Sequence, residues 1–415
     1  MRVAIVARSV FPLHGYGGLE RHVHDLVGGL AARDIAVTLI TRPPIHDRQS
    51  DNIAPGVRTL FVPYRTFPFA GRRGTTVLDR STAYPLFGEA AGRQAFELAR
   101  AGEIDIVHGL GASVLGYARR RSQSTIPLVF NPQGLEEFGA TDPSRARLKR
   151  LAYFPLQRAV IACARAADAV IATDRSLEPV VLRHLGIARD RLRTLPNAID
   201  VPHVDSATHQ SVVADLRSRH AIGEDEIVFF SAGRLEANKG FHVMLRALSA
   251  AGAHGGLETR RWRWVLAGDG PFRRDLVSLT SSLGIQAGVL FAGRVPDDEM
   301  HAWHEIATLF VHPTLYEGSS LVTLEAMAHR RAVIASRAGG LPDKVRPGAN
   351  GWLVPPGDPG GLAAVLSGSV ANPERLREFG EEGRRIVERE FSWDVVADET
   401  IALYKELLAR SHRKP

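Results

Sequence analysis

The chain has a single cysteine, Cys163, so it can form no intramolecular disulfide and no cysteine-rich metal site. It has no apolar run approaching the roughly 18 residues of a membrane span. Its first residues, MRVAIVARSV, are interrupted by Arg8 and lack the length of a signal-peptide core. These absences lead us to expect a cytoplasmic protein that is not integral to a membrane. Charge is also unremarkable in size. A formal net charge of +7 permits attraction to phosphates, anionic lipid or nucleic acid and establishes none of them. No nucleic-acid recognition motif accompanies it, so nucleic acid is not expected as a partner.

What is present is the pattern of an α/β protein. At 415 residues the chain exceeds the range, about 250–300 residues, in which one hydrophobic core keeps growing. Short apolar runs alternate with segments of helical period from end to end, as in parallel α/β domains. The first half suggests strands at 2–7, 37–41, 105–109, 127–131 and 169–173. Between the first two, Leu19, Val23, Leu26, Val27 and Leu30 mark one apolar helix face. The second half suggests strands at 226–233, 263–268, 289–293, 307–313 and 332–336. The polar, turn-rich VPHVDSATHQ, after LRTLPNAID, reads as the junction. The expected divisions are 1–198, 199–388 and a C-terminal helix in 389–415 that returns to the first domain. Open parallel sheets bind ligands beyond the carboxyl ends of their strands, so function is expected in the loops that follow strands.

Three such loops stand out. In FPLHGYGGLE, glycines precede a helix whose N–H groups can face an anion. A tight turn that simply needs glycine explains them about as well. A dinucleotide fingerprint fits poorly, because Glu20 takes the place of the third glycine and VTLITR offers no acidic residue for a ribose. In SAGRLEANKGF, Asn238 is placed to cap a helix with Lys239 in its first turn. A cation there opposes the helix dipole, and an anionic ligand between Arg234, Lys239 and the helix end would reverse that penalty. The simpler reading is a lysine extended into water. In YEGSSLVTLEAMA, Ser319 or Ser320 can cap a helix. Backbone N–H groups of Gly318, Ser319, Ser320, Leu321 and Val322 would then meet a ligand. Glu317 and Glu325, eight positions apart, would repel phosphate unless hydroxyl groups lay between.

These stretches, taken in order, carry a resemblance. The segments GGLERHVHDLVGGLAARDIAVTLIT, PNAID, GRLEANKG, VLAGDGP, VLFAGRVPDDEM, YEGSSLVTLEAMA and LPD…VRPGANGWLVPPGD span nearly the whole chain. They resemble the retaining glycosyltransferases of family 4, of GT-B architecture: two Rossmann-like domains facing across a cleft. The resemblance implies transfer of a hexose-type sugar from a nucleoside-diphosphate sugar to a hydroxyl acceptor, with no cofactor and no metal. It implies that Arg234 and Lys239 hold the diphosphate and that residues 318–322 cradle phosphates or sugar. Glu325 would bind the ribose, Glu317 the sugar hydroxyls near the reacting carbon, and Val295 the base through its backbone. Gly17 and Gly18 would let the first loop approach the phosphates. Where related proteins commonly carry a histidine near the sugar, this chain has Gln133, which can hydrogen-bond but not titrate. His108 is an alternative acceptor-side residue, although a lone histidine there is more often structural.

Competing readings keep the architecture and change the chemistry. A nucleotide-sugar epimerase would need more acid–base side chains, a phosphorylase its pyridoxal cofactor. A non-enzymatic sensor would not need the set Arg234, Lys239, Glu317 and Glu325. For the acceptor, 144–168 reads as a basic amphipathic helix, kinked at Pro155, with Arg147, Arg150, Arg158 and Arg165 on one side. With the loop 64–74 and its Arg72 and Arg73, it raises the hypothesis of peripheral contact with anionic membrane at the inner face. A solvated helix face is the commoner explanation.

Overall fold

The computed structural model describes residues 1–15, 17–44, 53–65, 76–133, 135, 138, 152–254 and 256–411. The chain forms two compact units: Met1–Asn197 together with Trp393–Pro415, and Ala198–Ser392. The second unit therefore runs on to Ser392, beyond the 388 read from the sequence, because Val387–Phe391 is part of its structure. The last helix, Trp393–Ser411, packs in the first unit, where Trp393 Nε1 donates to Asp25 Oδ2 at 3.2 Å.

The first unit is built on a seven-stranded parallel sheet of order β3-β2-β1-β4-β5-β6-β7. Its strands are β1 (Arg2–Val6), β2 (Ala36–Thr41), β3 (Arg58–Phe61), β4 (Ile106–Leu110), β5 (Leu128–Asn131), β6 (Ala169–Ala172) and β7 (Leu192–Thr194). The second unit has a six-stranded parallel sheet of order β10-β9-β8-β11-β12-β13. Here the strands are β8 (Ile227–Ala232), β9 (Trp262–Ala267), β10 (Val289–Gly293), β11 (Leu309–His312), β12 (Val333–Ser336) and β13 (Gly351–Val354). The central strands are apolar on both faces because helices cover both. Phe229 packs in one core with Trp264 and Val311, and its neighbour Phe230 packs in the other with Val265 and Phe310. In each sheet the strand order reverses between the first and fourth strands, β1|β4 and β8|β11. At such a switch point the following loops diverge and leave a crevice.

The helix Gly18–Ala31 buries Val23, Leu26, Val27 and Leu30, but Leu19 is exposed and His22 takes a buried place against Trp393. The predicted helix at 144–168 is also corrected. Its described part includes the helix Phe154–Ala166, with Pro155 in the first turn, where proline is tolerated, and a turn at Tyr153 separates it from helical Ala152. Leu156, Ala159 and Val160 are buried in the first unit's core, and Arg158 and Arg165 are exposed. The apolar face of this described part is thus used by the fold. Arg147, Arg150, Arg72 and Arg73 lie outside the described residues. No described helix is long and apolar enough to cross a membrane.

The helix Thr76–Arg100 approaches the 112–117 segment so closely that a Cβ on Gly88 would overlap the Ala112 carbonyl oxygen. By contrast, a Cβ on Gly28 would meet nothing within 4 Å. Replacing glycine by alanine within a helix gains about 0.8–1.0 kcal/mol of propensity. Overpacking against a backbone that cannot yield costs about 1–3 kcal/mol. We expect Gly28→Ala to raise, and Gly88→Ala to lower, the urea midpoint of the first unit; opposite signs in both would refute the packing described.

Candidate functional site

The loops after β8 and β11, the two strands at the switch point of the second sheet, are joined by their own chemistry. The β8 loop leads through a short 3-10 turn, Ala237–Lys239, to Gly240 in the left-handed region (φ 68°), and the helix begins only at Phe241. Lys239 is therefore not in the first helical turn and Asn238 is not the cap, as the spacing had suggested. Gly240 breaks the helix because its Cα abuts the Pro313 carbonyl, which a Cβ would overlap. The Asn238 carbonyl accepts from Leu315 N at 2.8 Å and from Thr314 Oγ1 at 3.1 Å.

On this frame Lys239 Nζ donates to Glu317 Oε2 at 2.8 Å, with side chains 21% and 12% exposed. The same oxygen accepts from His312 Nε2 at 2.6 Å, and Oε1 accepts from Gly318 N at 3.2 Å. His312 is the buried last residue of β11. Burial alone would push the Glu317 carboxyl up. The Lys239 charge and the His312 hydrogen bond outweigh it and hold the group far below its ordinary value. Lys239 and Glu317 thus face each other, where the sequence reading gave them separate parts of a ligand.

Ser320, not Ser319, caps the helix Leu321–Ala328, its Oγ accepting from Thr323 N at 3.3 Å. Ser319 instead accepts from Lys344 Nζ at 3.1 Å. Lys344 is wholly buried and lies 5.7 Å from the centre of the Phe391 ring. On the other side, Gly340 N donates to the Gly318 carbonyl at 2.8 Å, and Gly339 (φ 50°) lies where a Cβ would overlap the Glu317 carbonyl oxygen. Leu321, Val322 and Glu325 are half-buried along the same helix, and Glu325 Oε2 lies 3.9 Å from His304 Nε2. Val295, two residues past β10, is half-buried against the core. Arg234 stands apart, 72% exposed and paired with Glu236 Oε1 at 3.0 Å. Exposed pairs of this kind contribute about 0–1 kcal/mol, so a stronger anion can displace the carboxylate.

In the first unit, Gly17 caps the helix that Gly18 opens. Gln133 follows β5 with φ 64°, a conformation rare outside glycine, and its buried Nε2 has no hydrogen-bond partner among the described residues. His108 is buried. It lies on β4, hydrogen-bonded through Nδ1 to Tyr404 Oη at 2.6 Å, with its other nitrogen also buried. Burial lowers it to about 3, so it stays neutral. The cavity beside it, about 10 Å³, holds one water at most.

The sequence reading missed His312 and Lys344. His312 is hidden at the end of an apolar strand. Lys344 carried one signal, a lysine among Leu341 and Val345 on the inner side of a short helix.

A carboxyl depressed in the folded state stabilises fully above its ordinary value of 4.5 and progressively less as pH falls below it. The unfolding free energy of wild type minus that of Glu317→Gln should accordingly be largest at neutral pH and shrink in acid. Urea titrations at several pH values measure this; a difference that does not vary with pH would contradict the pairing.

Residues 16–202 match the family described as Glycosyltransferase Family 4, and residues 212–386 match Glycosyl transferases group 1. The chain is 29% identical over 441 residues to a D-inositol 3-phosphate glycosyltransferase of Xylanimonas cellulosilytica, covering 99% of this chain and 97% of that protein. It is also 29% identical over 237 residues to an uncharacterized glycosyltransferase of Methanocaldococcus jannaschii, 57% of this chain and 59% of that protein. Among solved structures, sucrose-phosphate synthase from Thermosynechococcus elongatus shares the fold with a TM-score of 0.78 at 24% identity, over 99% of both chains. Anabaena HepE in complex with UDP-glucose does so with a TM-score of 0.70 at 17% identity, over 98% of this chain and 100% of that one. With two Rossmann-like parallel-sheet units and both halves matched, the chain belongs to the family 4, group 1 glycosyltransferases of the GT-B fold.

Proposed function

We propose that this glycosyltransferase moves a hexose-type sugar from a nucleoside-diphosphate sugar to a hydroxyl acceptor, a glycan, glycolipid or small molecule, with retention at the anomeric carbon and without a divalent metal. The observation that carries this reading is the Lys239–Glu317–His312 cluster at the β8|β11 switch point. As the bond from the anomeric carbon to the phosphate oxygen breaks, negative charge collects on the departing diphosphate and the sugar becomes oxocarbenium-like. Charges fixed in advance and aimed at that phosphate act mainly in the transition state. Lys239 has three N–H donors, and Glu317 takes one of them. The other two, with Arg234 and the N–H groups opening the helix Leu321–Ala328, supply the positive charge a metal would otherwise bring.

Glu317 acts twice in this scheme. It orients the Lys239 ammonium, and its Oε1, which accepts the 3.2 Å bond from Gly318, receives a sugar hydroxyl. Glu325 takes the ribose diol. The backbone at Val295 meets the base, and Gly17 and Gly18 admit the phosphates to the first loop. Gln133, whose Nε2 has no hydrogen-bond partner among the described residues, bonds the sugar. Since Gln133 cannot accept a proton, the departing phosphate oxygen is the base for the acceptor hydroxyl.

Removing one preorganised donor from such a site costs about 10²–10³ in kcat. We expect Lys239→Ala and Glu317→Ala each to lose activity on that scale and to keep native circular dichroism. Donors are found by thermal shift with nucleoside diphosphates followed by nucleotide-sugar turnover. Near-wild-type rates in both variants would overturn the assignment.

A further inference from the structure

Away from these loops, the second unit carries a second cluster of ligating side chains. His203 lies on the helix Val201–Ala207, whose first turn is capped by Asp200. Asp297 opens the helix Asp297–Ile306, and His301 follows one turn later. One ligand atom from each of His203, Asp297 and His301 lies within 4.8 Å of the others. His203 Nε2 and Asp297 Oδ2 are 3.5 Å apart, long for a hydrogen bond. Two donors held tetrahedrally at about 2.0–2.1 Å from one Zn²⁺ lie roughly 3.4 Å apart. The pair thus already has the spacing of two ligands to one ion.

The third ligand is oriented by a relay behind it. His301 is buried, and its Nδ1 lies 2.8 Å from His329 Nε2. His329 Nδ1 lies 2.9 Å from Glu305 Oε1, and the other Glu305 oxygen accepts from Arg331 at 3.0 Å. A carboxylate can only accept, so His329 carries its proton on Nδ1. With that N–H donating to Glu305, His329 Nε2 can accept from His301 Nδ1–H, the tautomer that places the lone pair of His301 on Nε2. Metal-binding histidines are commonly held by a carboxylate chain of this kind on the far nitrogen.

We propose that His203, Asp297 and His301 bind a borderline divalent transition-metal cation, with Zn²⁺ as its representative. Water completes the coordination at the exposed His203 and Asp297 side. Two imidazole nitrogens and one carboxylate suit such an ion, whereas Mg²⁺ and Ca²⁺ prefer an all-oxygen shell. The ion ties the helix Val201–Ala207 to the helix Asp297–Ile306. It takes no part in sugar transfer, so this site stands or falls apart from the proposed reaction.

The test is equilibrium dialysis of the full-length, chelator-stripped protein against Zn²⁺ and, separately, Mg²⁺. The comparison is with His203→Gln and Asp297→Asn, both at exposed positions, with circular dichroism confirming the native fold of each. Wild type should bind one more Zn²⁺ than either variant, or bind it at least 10-fold more tightly, and show no such difference with Mg²⁺. Its melting temperature should rise with Zn²⁺ concentration, and the variants' should rise less. Equal Zn²⁺ uptake and affinity in all three proteins, or no uptake by wild type, would overturn the proposal.

Discussion

Two loops of the second unit are joined by one nearly buried ion pair, Lys239 with Glu317, completed by His312. A carboxylate removed from water is costly unless it is paired and hydrogen-bonded, and Glu317 is paired with Lys239 and accepts from His312 and Gly318. Its partners come from three places: the turn after β8, the end of β11 and its own loop. Satisfying this one carboxylate therefore fixes two loops relative to each other. The close approach of Gly240 to Pro313, the shared acceptor at Asn238 and the packing of Gly339 on Glu317 are geometric conditions of that contact.

Sheet topology explains why this pair stands where it does. β8 and β11 are neighbours in space although two strands separate them in sequence, and the helices that follow them leave in different directions. A ligand entering the crevice there meets a cation already oriented and a helix N-terminus already capped by Ser320. Preorganisation of this kind favours charge that develops during a reaction, because no dipole has to turn at that moment.

Much of this was legible in the sequence. Apolar runs located the ten longer or more buried strands, and the glycines and carboxylates between them located the loops that meet at Lys239 and Glu317. β3, β7 and β13 were not legible, because they are three- or four-residue strands at or near sheet edges with mixed exposure. Lys239 was placed in a helix because propensity cannot show that Gly240 abuts Pro313, 73 positions later. The pairing of His108 with Tyr404 was not legible because the two are distant in sequence. The same holds for Lys344, which contacts Ser319 and Phe391, whereas His312 has its partner Glu317 five positions on and was hidden by its place at the end of an apolar strand. Short motifs carry local chemistry, and long-range pairing is left to packing.

The central claim is that the charge Glu317 positions on Lys239 recognises a diphosphate. Calorimetric titration of wild type and Lys239→Met with a nucleoside diphosphate and with the matching nucleoside tests it directly. The wild type should prefer the diphosphate strongly, and Lys239→Met should lose that preference by about tenfold or more, as expected for a desolvated charged contact. An unchanged preference in the variant would contradict the account.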